Sequence, residues 1–232
     1  MGDKSDIEQA VKNILTTQWA SRKGQVIPSA DDLTLGNDAV LLDGTILYAD
    51  LDGSTKMVDG HPPWFAAEIY KAYLLATAKL IRTEGGEVAA YDGDRVMGVF
   101  IGARKNTSAV RCALKINWVV QKVINRLIKA EYPQRSFAVK QVVGVDTSSL
   151  WIARTGVRGA NDLVWVGQAA NYAAKLTELG SAHPTWITHR VFDAMHADVK
   201  HASDGREMWE KRRWTPMNEL HIYCSNFWWR VD

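Results

Sequence analysis

The chain has 232 residues, 47% of them hydrophobic, enough to bury one enzyme-sized core without subdivision. Lysine and arginine number 28 against 26 acidic residues, so the sequence lacks the basic field that a nucleic-acid partner demands. Cys112 and Cys224 have no metal-ligand spacing and read as reduced core thiols. No stretch reaches the roughly 18 apolar residues of a membrane span, and no apolar leader opens the chain. A cytoplasmic protein that engages neither membrane nor nucleic acid is expected.

Ile7, Val11, Ile14 and Leu15 recur at helical spacing, and a polar, turn-rich stretch over 21–38 with Gly24, Pro28 and Gly36 follows. Residues 1–40 are therefore expected to form a helix and connector ahead of one domain over 41–232. Residues 45–51 form the first strand and end on the turn signal Asp52-Gly53. Pro62 and Pro63 start a helix over 63–84 with Phe65, Ile69, Tyr73, Ala76 and Leu80 on one face, stopped by Gly85-Gly86. Two short apolar runs, 87–91 and 96–101, flank Asp92-Gly93, a strong hairpin signal that puts Asp94 at the tip or just past it.

Asn106 is expected to cap a second long helix, apolar at Val110, Ala113, Leu114, Val120, Val123, Ile124 and Leu127, which ends before Pro133. Strands at 137–145 and 150–155 come next, then a short strand at 163–166 leading into Gly167. Ala170, Ala173, Ala174 and Leu176 mark a helix that stops near Gly180, followed by a strand at 185–188, a small helix at 189–196 and two aromatic-rich terminal strands. Most of the ten tryptophans are expected in the core. The order β-α-β-β-α-β is the α+β, ferredoxin-like split βαβ arrangement, with helices on one face of the sheet and extra C-terminal strands.

Asp50, in Tyr48-Ala49-Asp50-Leu51-Asp52-Gly53-Ser54-Thr55, and Asp94, in Gly93-Asp94-Arg95-Val96-Met97-Gly98, each sit where an apolar strand meets a turn. A carboxylate pair so placed suits hard, oxygen-preferring cations beside a nucleotide phosphate, and no His/Cys spacing argues for zinc. Gly53-Ser54-Thr55 reads either as a plain turn or as backbone N–H donors for phosphate.

These two motifs, together with Gly167 and the downstream Asn171 and Lys175, resemble the class III nucleotidyl cyclases. The resemblance runs from about Asp43 to the C-terminus and implies a two-metal enzyme. In it, Asp50, Asp94 and the Leu51 carbonyl hold two Mg²⁺ or Mn²⁺ ions, and Gly53, Ser54 and Thr55 hold the triphosphate. Asn171 orients the ribose and Lys175 stabilises the transition state. Lys175 stands where the family carries Arg, which keeps the charge and loses the planar fork. A late lysine on the triphosphate is matched by Lys211, although Lys211-Arg212-Arg213 reads equally as a solvated basic run. The family builds its sites between two catalytic domains, so a homodimer with composite sites is implied.

Purine-specific members carry base-reading polar residues at the positions held here by Ala90 and Val164, neither of which offers a side-chain hydrogen bond. The run Tyr91-Asp92-Gly93-Asp94-Arg95 instead resembles the bacterial anti-phage pyrimidine cyclases of the Pycsar group. Those make cyclic UMP or cyclic CMP for a separate effector that the cyclase need not bind. Tyr91, Arg95 and Val164 are then expected at the substrate, and the donor-only Arg95 suits uracil carbonyls better than the amino edge of cytosine, which favours UTP. Cytidylate and purine cyclases remain alternatives, as does an inert nucleotide-binding module of the same fold. A palm-like polymerase would show a Gly-Gly-acid-acid-Phe type loop, and an RNA-binding sheet would show paired aromatics and a basic surface; the sequence has none of these.

Overall fold

A computed structural model describes residues 3–231 and divides them into two compact units. The smaller comprises residues up to 43 together with 149–167, and the larger comprises 44–148 and 168 onward. Two long strands, β2 (Asp38–Asp52) and β5 (Lys140–Val157), contribute to both units. No helix among the described residues is long and apolar enough to cross a membrane.

In the smaller unit, α1 (Asp3–Thr16) forms at the expected apolar spacing, yet none of its residues is buried; Ile7, Val11, Ile14 and Leu15 all face solvent. The connector is not wholly irregular. Ala20–Lys23 forms an exposed strand, β1, parallel to residues 38–41 of β2, and the Asn37 side chain donates to the Ile14 and Thr17 carbonyls at 2.8 and 2.7 Å. The distal half of β5 makes a hairpin with β6 (Ala160–Val166), in which Arg154 donates to Asn161 at 2.7 Å and ion-pairs with Asp31 at 3.4 Å.

The larger unit carries the expected core. β2 is followed by the short helix α2 (Ser54–Gly60), then α3 (Pro63–Thr83), the hairpin β3 (Glu87–Asp92) and β4 (Arg95–Phe100), and α4 (Lys105–Val119). The helix continues through a π-helical turn at Val120–Ile124 into α5 (Asn125–Glu131) before β5. After α6 (Gln168–Leu176) come β7 (Thr185–Thr188), α7 (His189–Ala194), β8 (Glu210–Trp214) and β9 (Leu220–Ser225). The strand order is β3-β4-β2-β5-β7-β9-β8. Its first four strands are the split βαβ core, in which β2 pairs antiparallel with β4 and the additions extend the β5 edge.

Leu47, Ala49, Val143, Val145 and Ile187 face α3 and α4 in one apolar cluster with Phe65, Tyr73 and Val110. Their neighbours in sequence point the other way, as strand periodicity requires. There Val142, Trp186, Ile222 and Cys224 pack with Leu176 of α6. The helices therefore occupy both faces of the sheet, whereas the βαββαβ pattern alone puts them on one. Gly144 makes the second packing possible, because a Cβ at that position would lie 2.1 Å from the Ala173 carbonyl oxygen of α6.

Three sequence expectations are corrected. Asn106 lies inside α4, not at its cap, and its Oδ1 accepts a 2.9 Å bond from the buried Thr45 hydroxyl. The strands expected at 137–145 and 150–155 are one, since the polar link between them is satisfied within the sheet: Thr188 and Arg190 both donate to the buried Asp146, and the Thr147 hydroxyl donates to the Gly44 carbonyl at 3.1 Å. Of the tryptophans only Trp186, Trp209 and Trp214 are buried. Cys112 and Cys224 are both free and buried, as the sequence suggested.

Candidate active site

Asp50 reaches its place because β2 is apolar on both faces up to Ala49 and ends just beyond, with the side chain half-buried at the end of the strand. The buried Tyr73 of α3 supports that end, its hydroxyl donating to the Asp50 backbone carbonyl at 3.4 Å. β3 and β4 join through a two-residue turn, Gly93-Asp94, with Asp92 opposite Arg95 and Gly93 at φ 59°. Asp94 is thus at the hairpin tip. Register fixes the rest: Ala49 pairs with Val96, which brings the tip of the hairpin beside the end of β2.

The electrostatics reflect this proximity. Burial raises the Asp50 carboxyl above its ordinary value; Arg95 opposes the shift and the Asp94 charge reinforces it. Arg95 Nε lies 3.7 Å from Asp50 Oδ2, and the guanidinium sits over the Tyr48 ring at 5.9 Å from its centroid. Burial likewise raises the Tyr48 phenol. Arg95 Nε is buried without a hydrogen-bond acceptor, a donor held beside the Asp50 carboxylate but beyond hydrogen-bond reach of it.

After Asp52, Gly53 adopts the left-handed conformation, φ 79°, and caps α2. The first turn of that helix leaves the Ser54 and Thr55 amides without intrahelical acceptors. Asn171 and Lys175 are exposed, one helical turn apart on α6, and project to the same side. Lys175 Nζ contacts Met217 Sδ at 3.8 Å, and among the described residues no carboxylate pairs with it. Tyr91 is exposed on β3, opposite Val96. Lys211 is exposed on β8, opposite Tyr223. Val164 belongs to the smaller unit, where it pairs with Ala153.

Three residues at this site escaped the sequence reading. Ser181 donates from its hydroxyl to the Asp52 carboxylate. Thr177 donates to the Ala174 carbonyl at 2.7 Å and also faces the Asp50 carboxylate, whose charge it favours. Lys140 lines a small recess with Leu51, Asp52, Gly53 and Ser54. Each is remote from Asp50 in sequence and belongs to no local motif, so only the fold supplies the signal.

No protein-family model matches the chain. It is 53% identical to a uridylate cyclase of Xanthomonas perforans over the whole of both chains. The chain belongs to the uridylate cyclase family of class III nucleotidyl cyclases. A second member, from Burkholderia cepacia, is 46% identical over 97% of this cyclase and 98% of the relative. Among solved structures, a bacterial light-regulated adenylyl cyclase superposes with a TM-score of 0.70 at 18% identity, over 84% of this cyclase and 54% of that chain. A guanylyl cyclase superposes with a TM-score of 0.68 at 16% identity, over 82% and 94% of the two chains. These likenesses establish the class III catalytic fold for the cyclase.

Proposed function

We propose that the cyclase converts UTP to 3′,5′-cyclic UMP and diphosphate in a homodimer with two composite sites. The observation that carries the choice of UTP is the 53% identity, over full length, to a protein named uridylate cyclase. The absence of a polar side chain at Ala90 and Val164 supports it, since a purine-reading site would need donors or acceptors there.

In the reaction the ribose 3′-oxygen attacks the α-phosphorus, the bond to the diphosphate breaks, and the 3′-hydroxyl proton leaves to solvent. Asp50, Asp94 and the Leu51 carbonyl form an all-oxygen donor set that fits hard cations, and burial beside the Asp94 charge makes added positive charge at Asp50 favourable. Two Mg²⁺ or Mn²⁺ ions bound there supply charge neutralisation at the attacking and leaving oxygens. The Ser54 and Thr55 amides, beside Gly53, receive the β- and γ-phosphates. Arg95, whose partly exposed guanidinium stands beside Asp50, offers donors to a phosphate or a uracil carbonyl; Tyr91 and Val164 are the further substrate-contacting positions, and Lys140, beside Gly53 and Ser54, takes the triphosphate place that the sequence offered Lys211.

Asn171 and Lys175 are exposed and point away from their own core, so they are available to the nucleotide held by a second copy. Asn171 orients the ribose, and Lys175 meets the charge that develops on the transferring phosphoryl group. The product acts as a second messenger in bacterial anti-phage signalling and is read by a separate effector, a reading supported by the Tyr91-to-Arg95 motif.

Incubating the protein separately with each nucleoside triphosphate and Mn²⁺, then identifying products by mass, tests this reading. UTP is expected to cyclise at least about tenfold faster than CTP, ATP or GTP, on the scale that lost polar contacts discriminate. Faster turnover of ATP or GTP would overturn the pyrimidine assignment, and linear products alone would overturn cyclisation.

A further inference from the structure

Away from the carboxylate pair, the far edge of the sheet gathers a different donor set. Glu210 of β8 and Cys224 of β9 are directly opposite in the ladder, so their side chains share a face. Cys224 also pairs with Trp186 of β7. The imidazole of His183, in the loop that precedes β7, stands edge-on to Trp186 with ring centroids 5.4 Å apart and so leans over the same face. His183 Nε2 lies 3.9 Å from Glu210 Oε2, and the three ligand atoms, one nitrogen, one oxygen and one sulfur, are all within 4.8 Å of one another.

We propose that His183, Glu210 and Cys224 form a non-catalytic site for a borderline-soft divalent ion, Zn²⁺ in preference to Mg²⁺ or Mn²⁺. A tetrahedral zinc with bonds of about 2.0–2.3 Å holds its ligands about 3.3–3.7 Å apart, so the trio need close by only about 1 Å. The Glu210 carboxylate is already oriented, because Arg212 holds Oε1 at 2.7 Å and leaves Oε2 toward His183. On binding, Cys224 releases its thiol proton to solvent and His183 coordinates as the neutral imidazole. Two negative ligands then balance the ion, and water completes the fourth position. Thiolate and imidazole select against the hard ions that suit Asp50 and Asp94, so the two sites separate by chemistry.

The site also has a mechanical connection. His183 sits two positions after Ser181, whose hydroxyl donates to Asp52 at the end of β2. An ion on His183 therefore tethers the loop that meets the catalytic strand.

Cobalt serves as the spectroscopic probe. Chelator-treated full-length protein titrated with Co²⁺ is expected to show one equivalent of a thiolate-to-cobalt charge-transfer band with tetrahedral d–d bands. Zn²⁺ is expected to displace it, and excess Mg²⁺ is not. Cys224→Ser should abolish the charge-transfer band, His183→Ala should weaken Zn²⁺ binding by at least about tenfold in competition with a chromophoric chelator, and Cys112→Ser and Asp50→Asn should leave both intact. No band in the wild type, or a band that survives in folded Cys224→Ser or vanishes in folded Asp50→Asn, would overturn the proposal.

Discussion

Arg95 Nε stands 3.7 Å from Asp50 Oδ2, an ion pair too long to be a hydrogen bond, so the guanidinium offsets the carboxylate without saturating it. Burial is the larger influence and holds the Asp50 carboxyl above its ordinary value. The folded state then favours the protonated form more than the unfolded chain does. Ionising Asp50 as pH rises through its folded value removes stability, a cost absent below the unfolded carboxyl value and complete above the folded one. In chelator at pH 7, Asp50→Asn is therefore expected to raise the melting temperature, and the gain should shrink as pH falls toward about 4. The same substitution should lower cyclase activity with Mn²⁺ by at least about 100-fold. A variant that melts below the wild type at pH 7 would mean that the lost attraction to Arg95 outweighs the relief of burial.

If each site takes its carboxylates from one copy and Asn171 with Lys175 from the other, two dead variants can repair one another. Asp50→Ala mixed with Lys175→Ala should recover up to about a quarter of wild-type activity, because half of randomly exchanged dimers are mixed and each mixed dimer keeps one intact site. Folded variants that exchange subunits, as followed by a tag pull-down, and yet recover nothing would place both groups on one protomer.

Lys175 is held by no acidic partner among the described residues, only by a 3.8 Å contact to Met217 Sδ, so its ammonium is free to meet a developing charge. Lys175→Ala should cut kcat about 10²–10³-fold with little change in KM, the signature of an interaction made in the transition state. Lys175→Arg should retain activity within about tenfold, since the charge survives while the donor geometry changes. An equal rise in KM and loss of kcat/KM at constant kcat would make Lys175 a ground-state binding residue instead.

α6 carries both of these groups, and its seat on the sheet depends on Gly144. Placing a Cβ 2.1 Å from the Ala173 carbonyl forces the helix outward. Gly144→Ala is expected to cost about 1–3 kcal/mol in denaturant unfolding and to lower activity along with it. Unchanged stability would show that α6 can shift freely.

The sequence made the core of the fold and the two aspartates legible because both depend on local signals. A continuous apolar, β-favouring run ending on Asp52-Gly53 marks β2, helical apolar spacing marks α3, and a Gly after Asp92 fixes the hairpin that carries Asp94. What it hid was long-range. Asp146 and Thr147 look like a loop until Thr188, Arg190 and Gly44 arrive to satisfy them within β5. The apolar stripe of α1 announces the helix by its spacing but not its exposure, since periodicity reports a face and not what covers it. Thr177, Ser181 and Lys140 reach the site only through strand order, which joins the end of β2 to the start of β5 and to the loop before β7.

Lys140 is the basic residue that the fold sets beside the phosphate-loop candidates, where the sequence offered Lys211. Its position is determined rather than incidental: the Asn125 side chain donates to the Val139 carbonyl at 3.0 Å and accepts from the Val139 amide at 2.7 Å, which fixes where β5 begins. From there Lys140 lines the recess formed by Asp52, Gly53 and Ser54. A lysine that meets the terminal phosphates, away from the reacting α-phosphorus, binds the triphosphate alike in ground and transition states. Lys140→Ala is accordingly expected to raise KM for UTP about tenfold, the scale of one charged hydrogen bond, with kcat changed by less than about threefold. Lys211→Ala, on the exposed face of β8, is expected to leave both constants nearly unchanged. Steady-state kinetics on the two variants decides between them: a KM effect confined to Lys211→Ala would return the triphosphate contact to β8 and remove Lys140 from the site.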